Sequence, residues 1–215
     1  GEDLAGEWLV DGLAARGVDT SRVRPSPRPT GTAFITVADG GENQIVVSPG
    51  ANADLDLTAA GLGDFDVVLA QLEVGPVVAA RAVALARRLV LNAAPSADLD
   101  DATLAACSVV IVNEVESERL DLARLAHCVL TLGARGAVHL AHGREVARSA
   151  PPPVEAVDTV GAGDVFCAAY ALAVAEGSDD QSALDFAVDA GALATTAPGA
   201  QGALPTREEV RRCRR

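Results

Sequence analysis

Residues 66–92, DVVLAQLEVGPVVAARAVALARRLVLN, set two short apolar runs on either side of a stretch whose apolar and small residues recur at helical spacing. A run that is apolar at every position has no polar face for water, so a strand made from it must be covered on both sides. Strand, helix and strand in that order form a crossover unit, and crossovers between parallel strands are right-handed. The alternation continues through DATLAACS, VVIVNE, ESERLDLARLAHC and VLTLG, which read in turn as helix, strand, helix and strand. We therefore expect an α/β chain in three layers (αβα), with a mostly parallel central sheet between two layers of helices. The carboxyl ends of the strands then share one edge. Glu73, Asn92, Asn113 to Glu116 and Gly133, which close the apolar runs, gather there. Open sheets of this kind bind ligands along that edge.

Upstream, GEDLAGEWLVDGLAARGVDT has a helical pattern in which Trp8 is expected to pack, and RVRPSPRP is a proline-rich connector. TGTAFITVA and NQIVVSP, joined by Asp39 to Glu42, read as a hairpin. Downstream, AVHLAHGREVARSA reads as another hairpin and is followed by Pro151 to Pro153. The stretches SALDFAVDAGALATT and TREEVRRCRR read as helices separated by the loop APGAQGALP.

With 215 residues and 49% hydrophobic content, the chain can bury a substantial core, and no apolar run reaches the length of a membrane span. A formal charge of -13 argues against a nucleic-acid partner, which calls for clustered cations. Cys107, Cys128, Cys167 and Cys213 lie far apart with no C-x-x-C, as expected of free thiols in a reducing cytoplasm. The chain has no Met and opens at Gly1 directly on a helical pattern, so an upstream segment is expected.

DTVGAGD, Asp158 to Asp164, precedes VFCAAYALAVAEG, whose apolar residues keep helical spacing up to Gly177. Gly161 to Gly163 should therefore form the first, unpaired turn of a buried helix, where free amides attract anions. Asp164 would repel the same anion and needs another task. The segment is not a dinucleotide fingerprint, because Phe166 stands where a third Gly is required, and no Walker A loop occurs. His139 and His142 suggest a metal pair but fall in a hairpin with no third ligand nearby, while His127 is expected to end a helix. Glu114, Glu116 and Glu118 suit an exposed helix start, and Asn113 with Glu116 forms an N-x-x-E pattern that also suits phosphate and Mg2+.

TGTAFITV with GENQIVVSPGANA, then QLE, LNAAPS, VNEVES, LTLGARGA, DTVGAGD and PGAQG, resemble in their order the ribokinase-like (PfkB) carbohydrate kinase family. The resemblance implies one kinase domain over residues 1–215, with residues 30–49 as the hairpin of a small, partial β lid. It implies ATP-dependent phosphorylation of a sugar, D-ribose foremost. Another sugar or nucleoside kinase, or a non-catalytic nucleotide-binding remnant, stays open as an alternative. Asp164 would be the base, Gly161, Ala162 and Gly163 the anion hole, and Glu73 with Asp164 the sugar contacts. Asn113, Thr131, Leu132, Gly133, Ala134, Arg135, Gly136, Gly163 and Val188 would bind the nucleotide, and Glu116 would serve Mg2+. Asp158, Val160, Ala194, Ala197, Gly199 and Ala203 would hold an activating K+. The resemblance also implies a homodimer. The family's opening strands, with an Asp that grips sugar hydroxyls, have no counterpart, so the chain is expected to begin inside the family domain. The nucleotide side should accordingly be better furnished than the sugar side.

Overall fold

The computed structural model describes residues 1–37, 43–57 and 61–214. Its first helix, α1 (Leu4–Ala14), starts at Asp3, whose carboxylate accepts hydrogen bonds from the Gly6 amide at 2.8 Å and the Thr30 amide and hydroxyl at 2.7 and 2.6 Å. Those donors hold the Asp3 pKa down at about 2 and tie the helix to the end of the proline-rich connector. α1 buries none of its side chains, and Trp8 is 70% exposed. Among the described residues the packing expected of Trp8 is absent, and the helix is anchored through its polar cap instead of an apolar face.

β1 (Thr32–Val37) and β2 (Asn43–Ser48) pair antiparallel, with Thr32 opposite Ser48 and Val37 opposite Asn43. The expected turn, Asp39 to Glu42, lies outside the described residues. Phe34 opposes Val46 on one face, Ile35 and Val47 lie on the other, and all four are exposed.

The main sheet runs in the order β3 (Val68–Gln71), β4 (Leu89–Asn92), β5 (Val109–Asn113), β6 (His127–Thr131), β7 (Ala137–Ala141) and β8 (Arg144–Ser149). The first four strands are parallel; β7 and β8 return antiparallel as the expected hairpin. β3 is an edge strand.

Alternate residues of the apolar runs feed two cores. Leu91, Val110, Val112 and Cys128 pack with Ala79 and Ala82 of α2 (Pro76–Leu85) and Leu104 of α3 (Asp101–Ala106). Between β5 and β6 lies α4 (Glu114–Ser117). On the opposite face, Val90, Ile111 and Val129 meet α5 (Ala162–Ala175), α6 (Asp180–Ala194) and α7 (Arg207–Arg212). Alanines dominate the α5 and α6 contributions to that core, so the two helices approach closely. The result is the three-layer αβα arrangement expected, with the strand ends on one edge.

One segment departs from the sequence reading. ESERLDLARLAHC forms only the end of α4 and a single tight turn at Leu122–Arg124. The Ser117 hydroxyl donates to the Glu114 carbonyl at 2.7 Å and the Asp121 carboxylate accepts from the Ala123 amide at 3.2 Å, so side-chain hydrogen bonds end one turn and start another. His127 consequently begins β6 and does not end a helix. The cysteines are free, with Cys107, Cys128 and Cys167 buried. Burial pushes the Cys107 thiol up to about 11 and those of Cys128 and Cys167 up to about 12. No helix among the described residues is long and apolar enough to cross a membrane.

Candidate active site

The start of α5 organises the strand-end edge. Gly161 caps the helix in the left-handed region (φ 80°) with no side-chain cap, and a Cβ there would sit 2.8 Å from the Ala200 Cα. Glycine is therefore required both for the turn and for the close approach of the 199–203 loop. The Ala162 amide donates to the Thr159 carbonyl at 3.2 Å, and the Val165 amide to the Gly161 carbonyl at 3.0 Å. Between them, the amides of Gly163 and Asp164 meet no backbone carbonyl among the described residues. These two N–H groups stand at the positive end of the helix, and Gly163 has open space where a Cβ would project. Of the three residues expected to form an anion hole, Ala162 thus has its amide already engaged.

Two cavities meet at this turn. One, of about 300 Å3, is lined by the ends of β4, β5 and β6 and by α5, including Asn92, Asn113, Glu116, Thr131, Gly163 and Asp164. The other, of about 520 Å3, is more apolar and shares Thr131 and Gly163 with the first. Gly133, Ala134, Gly136 and Val188, expected on the nucleotide side, line this second cavity. Leu132 and Arg135 do not line it; the Arg135 guanidinium instead pairs with the Glu114 carboxylate. Pro151 to Pro153, to which the sequence reading gave no role, form one wall.

Asn113 and Glu116 make a reciprocal capping box for α4. The Asn113 side-chain oxygen accepts from the Glu116 amide at 2.8 Å, and Glu116 Oε2 accepts from the Asn113 amide at 2.9 Å. Both residues also line the smaller cavity, so the N-x-x-E pattern is at once a cap and part of the site. Glu116 Oε1 accepts no hydrogen bond among the described residues, which leaves one hard oxygen donor directed to no other protein group.

Asp164 is exposed, and the Gln71 side-chain amide donates to its Oδ1 at 3.2 Å. Sequence reasoning missed Gln71, although it stands in the same QLE run as Glu73. The signal was its place as the last residue of β3, where strand ends face the edge. Glu73 lies two residues on, exposed in the turn Leu72–Val74, and does not line the smaller cavity.

Asp158 braces the turn from behind. Its Oδ2 accepts from the Gly199 amide at 2.8 Å and its Oδ1 from the Val160 amide at 3.0 Å. These contacts, Gly199 first, hold the carboxyl below the ordinary carboxylate range. The Thr195 carbonyl accepts from the amides of Val157 and Asp158 at 2.8 and 3.1 Å. The DTVGAGD segment is thereby tied to the end of α6 and to the loop that carries Ala197, Gly199 and Ala203.

His139 and His142 have separate settings, as their place in a hairpin implied. His142 is exposed in the hairpin turn (φ 47°), whereas His139 is 1% exposed and faces His127 across the sheet.

Residues 1–207 match the family model of the pfkB carbohydrate kinases. The chain belongs to that family. It is 36% identical to the ribokinase of Bacillus subtilis over 230 residues, an alignment covering 98% of this chain and 78% of that protein. The ribokinase of Haemophilus influenzae is 31% identical over 238 residues, with 98% and 78% covered. Among solved structures, Arabidopsis thaliana ribokinase complexed with ribose and ATP superimposes with a TM-score of 0.90 at 25% identity, covering 99% of this chain and 79% of that one. Thermotoga maritima ribokinase gives a TM-score of 0.87 at 27% identity, covering 98% and 77%. These superpositions show that the chain shares the ribokinase-like α/β fold.

Proposed function

We propose that the chain is an ATP-dependent sugar kinase whose acceptor is D-ribose, the reaction being ATP + D-ribose to ADP + D-ribose 5-phosphate. One observation carries the reading: a carboxylate, Asp164, stands beside two unspent amides where a polar and an apolar cavity meet. The apolar cavity, with its proline wall, suits a nucleotide base, and Asn92 and Asn113 in the other suit hydroxyls and phosphate oxygens. The similarity to ribokinases, one of them complexed with ribose and ATP, supports the same choice.

In this reading the γ-phosphate lies against Gly163 and Asp164, whose amides stabilise charge that spreads over the transferring group. Asp164 takes the proton of the terminal hydroxyl as its oxygen attacks phosphorus, and ADP leaves in line. Glu73, exposed in the turn after β3 and lining neither cavity, would contact the sugar from the rim. Mg2+ bound with ATP supplies countercharge to the phosphates, and the uncommitted Glu116 oxygen and the Asn113 side chain suit it as hard donors. Gln71 orients Asp164 through the hydrogen bond to Oδ1. Gln71→Leu should lower kcat about tenfold and leave KM for ATP unchanged, since a hydrogen bond to a charged group is worth roughly 1.5 kcal/mol. An unaltered kcat would remove Gln71 from the machinery.

A K+ site is supported by the position of Asp158 between the α5 turn and the 199–203 loop. Asp158, the Val160 carbonyl and carbonyls of Ala194, Ala197, Gly199 and Ala203 would hold the ion, adding positive field behind the amides. K+ should therefore stimulate turnover, and Asp158→Ala should remove most of the response. Equal rates in K+ and in a bulky organic cation at matched ionic strength would contradict this. The exposed apolar faces of the β1–β2 hairpin support a homodimer through the lid, and free thiols suit a cytoplasmic setting.

The deoxyribokinase of Salmonella typhi, 29% identical over 238 residues, keeps related sugars in view. Rates of ADP release with a panel of pentoses, hexoses and nucleosides test the assignment. D-ribose should give the highest kcat/KM; a nucleoside in first place would overturn the choice of acceptor.

A further inference from the structure

Only three histidines occur in the chain, and two of them face each other across neighbouring antiparallel strands. His127 Nδ1 and His139 Nε2 lie 3.0 Å apart, with ring centroids at 5.1 Å and planes at 63°. The other nitrogen of His139 meets the Tyr170 hydroxyl at 3.3 Å and Asp180 Oδ1 at 3.6 Å. With Nδ1–H donated to that side, His139 carries its lone pair on Nε2, toward His127. The Nε2–H tautomer of His127 then turns a second lone pair to the same place. Two imidazole nitrogens bound tetrahedrally to zinc at about 2.0–2.1 Å are separated by roughly 3.3 Å, so small ring movements open the observed gap enough. A ligand atom from each of His127, His139 and Asp180 lies within 4.8 Å of the others. Asp180 stands on the Nδ1 side of His139 and its side chain is 52% exposed; swinging round to the Nε2 side to complete the set, it leaves the Nδ1–H to the Tyr170 hydroxyl, and beside the half-buried His127 a fourth position falls to water.

We propose that His127, His139 and Asp180 form a binding site for a divalent transition metal of the zinc type. The donor set of two imidazoles and one carboxylate favours Zn2+, Co2+ or Ni2+ over Mg2+. Burial lowers the pKa of His139 and so favours the neutral imidazole that ligates. The site joins the first residue of β6, the middle of β7 and the first turn of α6, at the sheet edge opposite the one that holds Thr131 and Asp164. A bound ion would staple β6 and β7 to the helix that carries Val188 of the apolar cavity. The site is independent of the kinase reading, and the ligand set requires no turnover to be observed.

Calorimetric titration of EDTA-treated, dialysed protein with ZnCl2 should show one equivalent bound, with no heat from MgCl2. His127→Ala should abolish binding, Asp180→Asn should weaken it about tenfold or more, and His142→Ala should leave it unchanged. On the unsubstituted chain, the imidazole nitrogen resonances of His127 and His139 should shift with Zn2+ while those of His142 stay in place, a readout that does not depend on a variant folding. Failure to bind Zn2+, binding that survives His127→Ala, or shifts confined to His142 would overturn the proposal and leave the two rings as a hydrogen-bonded pair.

Discussion

Asp164→Asn will reduce sugar phosphorylation by roughly 10²- to 10⁴-fold while ATP binding stays near normal. The amide preserves the shape of the side chain and can still meet Gln71, but it cannot take the proton of the attacking hydroxyl. The Gly163 and Asp164 backbone amides are untouched by the substitution, so the phosphate contacts persist. Separate measurement of ATP affinity and single-turnover rate makes the distinction. A variant that loses both together would point to a damaged helix start, and one that loses neither would remove Asp164 as the base.

The second large effect is on stability. Arg214 donates from Nε to both oxygens of Asp189 at 2.8 and 2.7 Å, from Nη1 to Asp185 at 2.8 Å, and from Nη2 to the Ser149 hydroxyl at 2.6 Å and the Ala150 carbonyl at 3.1 Å. The Asp189 side chain is only 5% exposed, and burial raises its pKa against the pull of Arg214. Arg214→Ala leaves that carboxylate buried and unpaired, at a cost of about 3 kcal/mol. Adding Asp189→Asn should recover much of the loss. A carboxyl with a raised folded pKa takes up its proton more readily when folded, so stability falls as pH rises from the ordinary carboxylate range through the raised value. The deficit of Arg214→Ala should therefore shrink in mild acid. Urea unfolding of the single and double variants across that window checks both claims. The same clamp fixes Ser149 and Ala150 just before the proline wall, so loss of Arg214 should also loosen the larger, apolar cavity.

Residues 66–92 alone carried the layer order, because strands apolar on both faces leave no other way to cover them. The turn at Gly161 to Gly163 was equally legible, since a helix must leave its first amides unpaired. Contacts that depend on strand register or on distant segments were not. His127 and His139 are twelve residues apart along the chain, and only the β6–β7 register, with Val129 opposite His139, brings their rings together. Gln71 and Asp164 are separated by 93 residues, so their contact belongs to the folded edge and to no local pattern. Arg214 reads as one of several arginines near the C-terminus, and nothing in its neighbours announces Asp189. Trp8 was misread for a related reason: helical spacing of apolar residues does not say that a partner face is present. The N-x-x-E pattern had two local readings, cap and phosphate side, and Asn113 and Glu116 serve the first while lining the cavity required by the second.

In the proposed reaction Asp164 activates the terminal hydroxyl of ribose toward ATP. Phosphorus NMR of a mixture of the chain, MgATP and D-ribose reads it most directly. ADP and ribose 5-phosphate should appear together in equal amounts, and both should disappear with Asp164→Asn. ADP formation indifferent to sugar, or phosphate placed on another hydroxyl, would contradict it.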